Sequence, residues 1–323
     1  MPCRYDFLWD KCMIKPLGPE GQFESDSPKQ QAYLDVLNAI LEKESAIINQ
    51  APDPEMGGLS PNQVHPLIYS KPGKPGSPIQ FESLIPYDLL KTSSFFSRAR
   101  TLLEEVVKAG GVKATKGKNL GRKFVEHIVS ATFNSKDKER FWFMAKKLDE
   151  EDVWPLHIVR VVCEEAKLLR LYKGVFVATK RGKELLKEDL AGELFEALFL
   201  TYFFRLNLSY NQRFNFDTNC LQQCVTYSLY RLGKVAENRV PAKGLAAEIL
   251  LPMVKRDIEQ QVSGDGFLTL DYITLHFVLE PLVEWGLLEG GYEESAISTL
   301  LLELQTVRVT PLYHAFFRFQ FDG

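Results

Sequence analysis

The residues best suited to chemistry form two basic runs in the middle of the 323-residue chain. One run surrounds Gly117 and the other surrounds Gly182, and each is predicted to lie where a helix begins. Exposed helix-start amides with cations and a nearby glycine suit an anion such as phosphate. Solvated surface lysines are the plainer interpretation, and it is favoured here because basic runs are weakly specific. The candidate anion or nucleic-acid contacts are Lys113, Lys116, Lys118, Arg122, Lys123, Lys180, Arg181 and Lys183.

Other reactive residue types do not form a known catalytic or metal-binding pattern. Cys220 and Cys224 lie four residues apart, but no second Cys or His pair follows at zinc-finger spacing, so buried core thiols are expected. The histidines are isolated, and the glycines near Gly110 match neither a Walker loop nor a dinucleotide fingerprint. The sequence therefore predicts no enzyme, no metal and no cofactor. A deep pocket lined by polar groups with perturbed pKa values would revive the enzyme alternative.

Composition is that of an ordinary soluble protein, with 45% hydrophobic and 25% charged residues. The five cysteines are scattered and odd in number, which indicates reduced thiols in a cytoplasmic protein. Residues 1–15 lack the pattern of a signal peptide. The longest apolar stretch, residues 197–204, is far shorter than the roughly 20 residues that span a bilayer. We therefore expect a soluble, cytoplasmic protein without a membrane partner.

Charge is distributed unevenly along the chain. Residues 91–190 contain 22 Lys/Arg and 14 Asp/Glu, a balance of +8, so a net charge of −3 leaves −11 for the remainder. Residues 257–307 contain ten carboxylates and neither Lys nor Arg. The sequence predicts a basic middle and an acidic C-terminal part with different surfaces.

The elements that must position the basic runs are clearest after Trp154. Apolar spacing over residues 154–166 predicts a helix, and residues 169–172 and 175–178 predict two strands joined by a tight turn. Thr179 is expected to cap a helix that continues towards residue 204. Helix, hairpin and helix form the back half of a winged helix.

The preceding residues complete that order. Helices are predicted over residues 94–108 and 118–131, with a short strand at residues 112–114 between them. A charged connection over residues 134–152 leads to the Trp154 helix. Residues 91–210 are therefore predicted to form a first, basic winged-helix domain.

A second pass through the same pattern is predicted over residues 211–323, as an acidic winged-helix-like domain. Gly286 is read as a left-handed helix end, Gly290-Gly291 as a turn, and Thr310 as the cap of a last helix that begins with Pro311. The predicted helices span residues 219–232, 242–262 and 271–285, and the predicted strand spans residues 307–309.

Residues 1–90 are predicted to form an N-terminal arm with one long helix. Residues 1–27 lack periodicity and are expected to be extended, whereas residues 28–49 have helical apolar spacing. Ser60 and Pro61 are expected to start a short helix. The predicted fold class is mainly α with small β-hairpins (α+β), built of tandem winged-helix-like modules behind a helical arm.

These motifs resemble known families. Residues 168–185 resemble the hairpin and following helix of many bacterial winged-helix proteins. Residues 58–67, 111–122 and 154–186 resemble a family of uncharacterised bacterial proteins, over roughly residues 58–208. Ala114 and Ala178 stand where Leu is commoner in that family. The resemblance implies an architecture; it brings no activity and no site residues.

Winged helices commonly bind DNA through a helix in the major groove. Here the predicted reading helix follows four carboxylates, residues 149–152, and its counterpart in the second module carries Asp271 and Glu280 without a cation. Phosphate attraction requires Lys or Arg at the contact surface, so this docking mode is disfavoured.

The leading hypothesis is a non-catalytic protein-binding or regulatory module that contacts another protein or a second copy. Three features support this hypothesis: the acidic second module, the short wing and the aromatic run in residues 195–204. The alternative is DNA or RNA binding, as in transcription regulators, through the basic face of residues 108–123 and 180–187.

Overall fold

The structure, a computed structural model, describes residues 28–211, 216–263, 268–294 and 302–320. The described part is mainly helical, with small antiparallel sheets of two or three strands. This confirms the predicted α+β class. The arm predicted for residues 1–27 lies outside the described residues.

Contacts divide the chain into one unit that ends at Ser70 and a second unit over Lys71–Asp322. In the first unit, α1 (Pro28–Gln50) matches the predicted long helix. The shorter α2 (Pro61–Tyr69) begins as expected after Ser60, whose amide donates to the Gln63 side chain at 3.0 Å. The predicted domain boundaries at residues 90 and 210 stay a prediction.

The second unit contains two successions of elements. The first comprises β1 (Ile79–Phe81), α3 (Tyr87–Leu90), α4 (Ser94–Lys108), β2 (Val112–Lys113), α5 (Arg122–Thr132), α6 (Ser135–Met144), α7 (Trp154–Glu165), β3 (Leu169–Tyr172), β4 (Val175–Ala178), α8 (Lys180–Glu184) and α9 (Ala191–Phe204). The second comprises α10 (Asn219–Gln223), α11 (Val225–Val235), β5 (Val240–Pro241), α12 (Ala246–Ile249), α13 (Pro252–Val262), α14 (Leu270–Thr274), α15 (Glu280–Glu284), β6 (Leu288–Glu294), β7 (Leu302–Val309), α16 (Pro311–Phe316) and β8 (Phe317–Phe319).

The two successions repeat one sheet topology. The first sheet has the order β2-β4-β3 and the second has the order β5-β7-β6, so the last strand of each lies in the centre. Both sheets are antiparallel, with Phe176 opposite Val112 and Leu171 in the first, and Val307 opposite Val240 and Gly290 in the second. The central strand thus ties a distant short strand to a hairpin.

A threonine ends each central strand in the same way. The Thr179 hydroxyl donates to the Lys167 carbonyl at 2.8 Å and accepts from the Gly182 amide at 3.0 Å. The Thr310 hydroxyl donates to the Gly286 carbonyl at 2.7 Å and accepts from the Tyr313 amide at 3.2 Å. We call this arrangement the threonine clasp, because one side chain joins the end of one helix to the start of the next. The expected caps at both positions are confirmed.

The two residues whose carbonyls accept these hydroxyl bonds, Lys167 and Gly286, have the same backbone conformation. Lys167 has φ 61° and Gly286 has φ 70°, so each reverses the chain in the left-handed region at the end of a helix. Gly286 is the left-handed helix end expected from the sequence. A side chain there would meet the Ser93 backbone at 3.0 Å, which explains why glycine fits this position.

An aromatic core joins the two successions. Trp285 stacks on Phe95 with ring centroids 4.2 Å apart, and it meets the rings of Phe195 and Phe199 edge-on at 5.3 and 5.5 Å. Tyr202 and Phe203 of α9 are also buried. Because these aromatic side chains are buried in the core, the run over residues 195–204 no longer supports a docking surface.

Five predicted helices of the second unit are shorter or interrupted, and two of them lie in its first succession of elements. The helix predicted from residue 118 begins at Arg122, because an Ala114–Leu120 bridge closes a turn before it. The helix predicted from Thr179 to residue 204 is divided into α8 and α9. The Leu186 carbonyl between them accepts from the Arg100 side chain at 2.7 Å instead of a helix amide.

The second succession of elements contains the other three interrupted helices. Leu251 before Pro252 is extended (φ −63°, ψ 146°), so the helix predicted over residues 242–262 is divided into α12 and α13. The helix predicted over residues 271–285 contains a π-helical turn, Leu275–Leu279, directly before Pro281, which lacks an amide hydrogen. The helix predicted over residues 219–232 is divided at Cys224 between α10 and α11.

The turn predicted at Gly290-Gly291 is wrong. Strand β6 runs through both glycines and has a bulge after Gly291. A Cβ at Gly291 would lie 2.3 Å from the Thr306 hydroxyl, so glycine permits a close strand contact here. The pairing of β1 with β8 was not predicted from the sequence, since the two strands lie more than 200 residues apart.

Replacing the clasp threonine by isosteric valine tests this arrangement. Thr179→Val and Thr310→Val each remove a helix cap and a second hydrogen bond, and we expect each to lower the free energy of unfolding by about 1–2 kcal/mol. Urea unfolding followed by circular dichroism measures the change. Thr115→Val is the control, since the Thr115 hydroxyl accepts only one described bond, from the Asn119 amide in an exposed turn. Equal stability of all three variants would refute the clasp.

Candidate functional site

The helix that would read DNA, α7, lies almost entirely inside the protein. Of its 12 residues only Trp154 and Glu165 are exposed, and the segment from Leu156 to Arg160 is buried throughout. In the second module, every residue of α14 and α15 is buried or half-buried. A helix must expose one face along its length to enter the major groove. Neither helix does so.

A buried carboxylate, Glu150, organises the start of α7. Its side chain accepts hydrogen bonds from the Leu120 amide at 2.5 Å and from the Arg160 guanidinium at 2.7 Å, and it contacts His157 Nδ1 at 2.7 Å. His157 Nε2 contacts the Tyr210 hydroxyl at 3.0 Å. Burial alone would raise the pKa of Glu150, but the bonds from His157 and Leu120 and the charge of Arg160 outweigh it and hold that pKa below its usual range. Glu150 is therefore a structural anion.

Two neighbouring carboxylates bind the turn before α5. Asp149 pairs with Arg122 through two bonds of 3.0 and 2.8 Å, and Glu151 accepts from the Asn119 amide group at 2.9 Å. The Arg122 contact holds the pKa of Asp149 below its usual range. The Asp152 side chain accepts from the Asp149 amide at 2.9 Å, so all four carboxylates of residues 149–152 have partners within the protein.

All eight candidate basic residues are exposed, but they form two groups. Lys113 lies on β2, Lys116 and Lys118 lie in the turn before α5, and Arg122 and Lys123 lie in its first turn. Lys180, Arg181 and Lys183 lie on α8. The first group adjoins the hairpin turn because Lys113 pairs with Val175, whereas α8 follows the other end of β4, about 10 Å away along the strand.

The helix-start amides expected to receive an anion are partly occupied. The Leu120 amide is bound by Glu150, and the Gly182 amide by the Thr179 hydroxyl. Arg122 is paired with Asp149. Because α5 begins at Arg122, Lys116 and Lys118 lie before the helix and not in its first turn. The predicted geometry of an anion at these two helix starts is therefore not what the structure contains.

The outer face of the first sheet combines cations with an exposed aromatic ring. Lys113, Val175 and Tyr172 lie opposite one another in register. The charged groups of Arg170 and Lys173 each lie 5.3 Å from the centre of the Tyr172 ring. Tyr172 is 53% exposed. We call Lys113, Arg170, Tyr172 and Lys173 the wing face.

Helix α6 ends in an exposed apolar group. Trp142, Phe143 and Met144 are 47%, 77% and 79% exposed, whereas Phe141 packs edge-on against Phe133 at 5.2 Å and anchors the helix. Lys146 and Lys147 follow and are exposed. We call Trp142, Phe143 and Met144 the α6 tip. Aromatic residues and Met are enriched at protein interfaces, and Lys usually borders them.

A cleft of about 680 Å³ lies between α6 and α15. Lys136 and Arg140 line one side, and Glu280 and Glu284 line the other. Arg98, which pairs with Glu284, lies beside Phe133 with its guanidinium 4.2 Å from the ring centre. A smaller space of about 160 Å³ lined by Trp154 and His276 adjoins the same two glutamates.

Tyr292 supplies a neutral hydroxyl to the cleft. Burial and the nearby carboxylates of Glu280, Glu284 and Asp137 raise its pKa to about 12, so the phenol stays protonated at neutral pH. A protonated phenol donates a hydrogen bond and is a poor general base. Tyr292 therefore offers the cleft a hydrogen-bond donor.

The three described cysteines agree with the expectation from the sequence, whereas Cys3 and Cys12 lie outside the described residues. Cys163, Cys220 and Cys224 are buried free thiols, and burial raises the pKa of each. Among the described residues, no group of three or more His, Cys, Asp or Glu side chains could hold a metal ion. In the same part of the chain, every helix is too short or too polar to cross a bilayer.

Comparison with known proteins gives one finding. Residues 91–191 match the family model of the Y4jL N-terminal domain. Neither curated proteins nor solved structures gave a match to the chain. The matched residues run from just before α4 to the start of α9, and they support the expected family resemblance over that part of the chain.

Sequence reasoning missed the cleft and the Glu150 network. The spacing of four between Lys136 and Arg140, and between Glu280 and Glu284, indicates one helix face for each pair. That signal could have identified each wall separately. It could not show that the two faces meet, because about 140 residues separate them in the chain.

Glu150→Gln tests the buried network. At pH 7 we expect the free energy of unfolding to fall by about 2–3 kcal/mol, because Arg160 loses the fully buried one of its two carboxylate partners and keeps only Glu164. The depressed pKa of Glu150 means that its stabilisation is present above the unfolded value of about 4.3 and is lost as pH falls through the folded value. The difference between wild type and variant should therefore shrink below about pH 4.

Urea titrations at pH 7 and at lower pH measure this difference. Glu151→Gln is the matched control, since Glu151 is exposed and we expect a change below about 0.5 kcal/mol. A constant difference between wild type and Glu150→Gln across the pH range would show that the carboxylate charge is not the stabilising feature.

Proposed function

We propose that this protein is a non-catalytic protein-binding module built from two winged-helix-like units. The repeated sheet order, with the third strand in the centre and a helix before each hairpin, supports that description of the fold. The enclosed reading helices argue against DNA docking through either of them. The observation that carries the proposal is the α6 tip, where three consecutive large apolar side chains are exposed to solvent.

Surface apolar groups of this size indicate an interaction site. The α6 tip lies among cations, since residues 135–147 contain five Lys or Arg and two Asp or Glu. A partner should therefore combine an apolar pocket with an acidic border. The chain itself offers acidic surface, because residues 257–307 contain ten carboxylates and no Lys or Arg. We therefore propose that the α6 tip docks on a second copy of this chain.

A regulatory role follows naturally from such a module, since reversible pairing can expose or cover other surfaces. Buried free thiols support placing this activity in the cytoplasm. Of the two predicted partners, another protein or a second copy, we therefore propose a second copy, and we propose the α6 tip as the surface that contacts it.

Replacing the α6 tip should abolish self-association. We expect the wild-type chain, 36.9 kDa as a monomer, to increase in mass with concentration, and Trp142→Ser/Phe143→Ser/Met144→Ser to remain monomeric. Light scattering after size exclusion, from about 1 to 100 µM, covers the range of weak association. Added salt should weaken pairing, because the borders of the contact are charged.

Two further variants make the result specific. Leu84→Ser removes an apolar residue that is 91% exposed elsewhere, and it should pair like wild type. Ile40→Ser/Ile47→Ser removes exposed residues of α1. If that variant alone is monomeric, α1 is the contact and the α6 proposal is wrong. A wild-type monomer at all concentrations would exclude a second copy as the occupant.

A second candidate function is nucleic-acid binding, which the wing face favours. It combines a partly exposed aromatic ring with three neighbouring cations, and such a surface can stack a base while neutralising phosphates. The cations of α8 lie at the other end of the hairpin. The wing face and the turn with Lys116 and Lys118 therefore form a more compact basic surface than all eight candidates together.

Charge reversal distinguishes these surfaces. We expect Lys113→Glu/Lys173→Glu to weaken binding of labelled single-stranded and duplex DNA or RNA at least about tenfold at low salt, because phosphate contacts dominate affinity. Lys180→Glu/Arg181→Glu serves as the comparison and should have a smaller effect. Fluorescence anisotropy over a salt series provides the affinities. Absence of wild-type binding at about 25 mM salt would remove this function.

A further inference from the structure

The walls of the cleft between α6 and α15 carry opposite charge. Lys136 and Arg140 are four residues apart on α6, and Glu280 and Glu284 are four residues apart on α15, so each pair occupies one helix face. All four side chains line the same cleft of about 680 Å³. Ligand sites in proteins commonly have volumes of about 300–1,000 Å³.

The opposite charges do not meet across the cleft. Among the described residues, the ion pairs of these glutamates join Glu280 to His276 and Glu284 to Arg98, and none joins them to Lys136 or Arg140. Arg140 lies 3.8 Å from Asp137 on its own helix. Lys136 is exposed and has no ion pair in the described part of the chain. Asp137 also lines the α6 side and Arg98 lies beside Glu284, so the α6 side keeps a net positive charge through Lys136 and the α15 side keeps a net negative charge through Glu280.

Arg98 lines the cleft and has a buried hydrogen-bond donor without an acceptor. Its side chain is 8% exposed, and its Nε has no hydrogen-bond partner. Burying a donor without a partner costs free energy, so a ligand that supplies a neutral acceptor, such as a peptide carbonyl, is favoured there. Phe133, Val283 and the Tyr292 ring add apolar surface to the same cleft.

We propose that this cleft binds a short zwitterionic peptide with free ends. Its carboxylate would face Lys136 and Arg140, its ammonium group would face Glu280 and Glu284, and an apolar side chain would contact Phe133 and Val283. A simple anion would satisfy only the α6 wall, and a simple cation only the α15 wall. The contacts proposed for the peptide do not include Trp142, Phe143 or Met144, so peptide binding can be measured separately from self-association in the Trp142→Ser/Phe143→Ser/Met144→Ser variant.

Calorimetric titration of the full chain tests the proposal. The probe is the tripeptide Gly-Phe-Gly with free ends, and the matched probe is the same peptide with an acetylated amino end and an amidated carboxyl end. Inorganic phosphate and putrescine supply the anion alone and the cation alone. We expect the free-ended peptide to bind at least about tenfold more tightly than each of the other three.

Variants locate the binding. Lys136→Glu/Arg140→Glu reverses the basic wall and Glu280→Gln neutralises one position of the acidic wall; each should weaken binding of the free-ended peptide at least about fivefold. Arg256→Glu, an exposed change on α13, should leave it unchanged. Circular dichroism confirms that each variant is folded. Comparable binding of free-ended and capped peptides, or no binding up to about 5 mM, would overturn the proposal.

Discussion

One side chain in each succession, the clasp threonine, holds three backbone segments together. The Thr179 hydroxyl joins the carbonyl end of α7 to the amide start of α8, while the Thr179 amide donates to the Leu168 carbonyl at 2.9 Å. Thr310 repeats all three bonds, and its amide donates to the Leu287 carbonyl at 3.2 Å. The clasp fixes where the central strand of each sheet ends, so the hairpins, the flanking helices and the surfaces they carry depend on it.

The enclosure of α7 has a direct consequence for function. A helix that packs against neighbours on most of its surface can be anchored by a buried ionic group, and Glu150 with Arg160 and His157 serves that purpose here. Such a network stabilises the folded state when all its partners are present and destabilises that state when one partner is lost. It also uses polar side chains that a DNA-reading helix would direct outward. The proposed binding surfaces are consequently those of α6, the hairpin and the cleft.

Charges that are far apart in the sequence lie on facing helices in the folded structure. The sequence separates a basic middle from an acidic C-terminal part, but the shared aromatic core brings these parts together around Trp285. Helix α6 of the basic part therefore faces α15 of the acidic part across a cleft. Opposite charges that are distant in the chain become the two walls of one site, while the exposed α6 tip points to association between molecules.

Local physics determined much of this protein from its sequence alone. Apolar periodicity set α4 at its predicted bounds, the Lys173-Gly174 turn set the hairpin, and Thr-Pro set the start of α16. These features depend on residues close in the chain. Tertiary structure alone decided the break after Glu184, the pairing of β1 with β8, the burial of Glu150 and the facing walls of the cleft. Each of these depends on partners far apart in sequence, whose meeting no local pattern specifies.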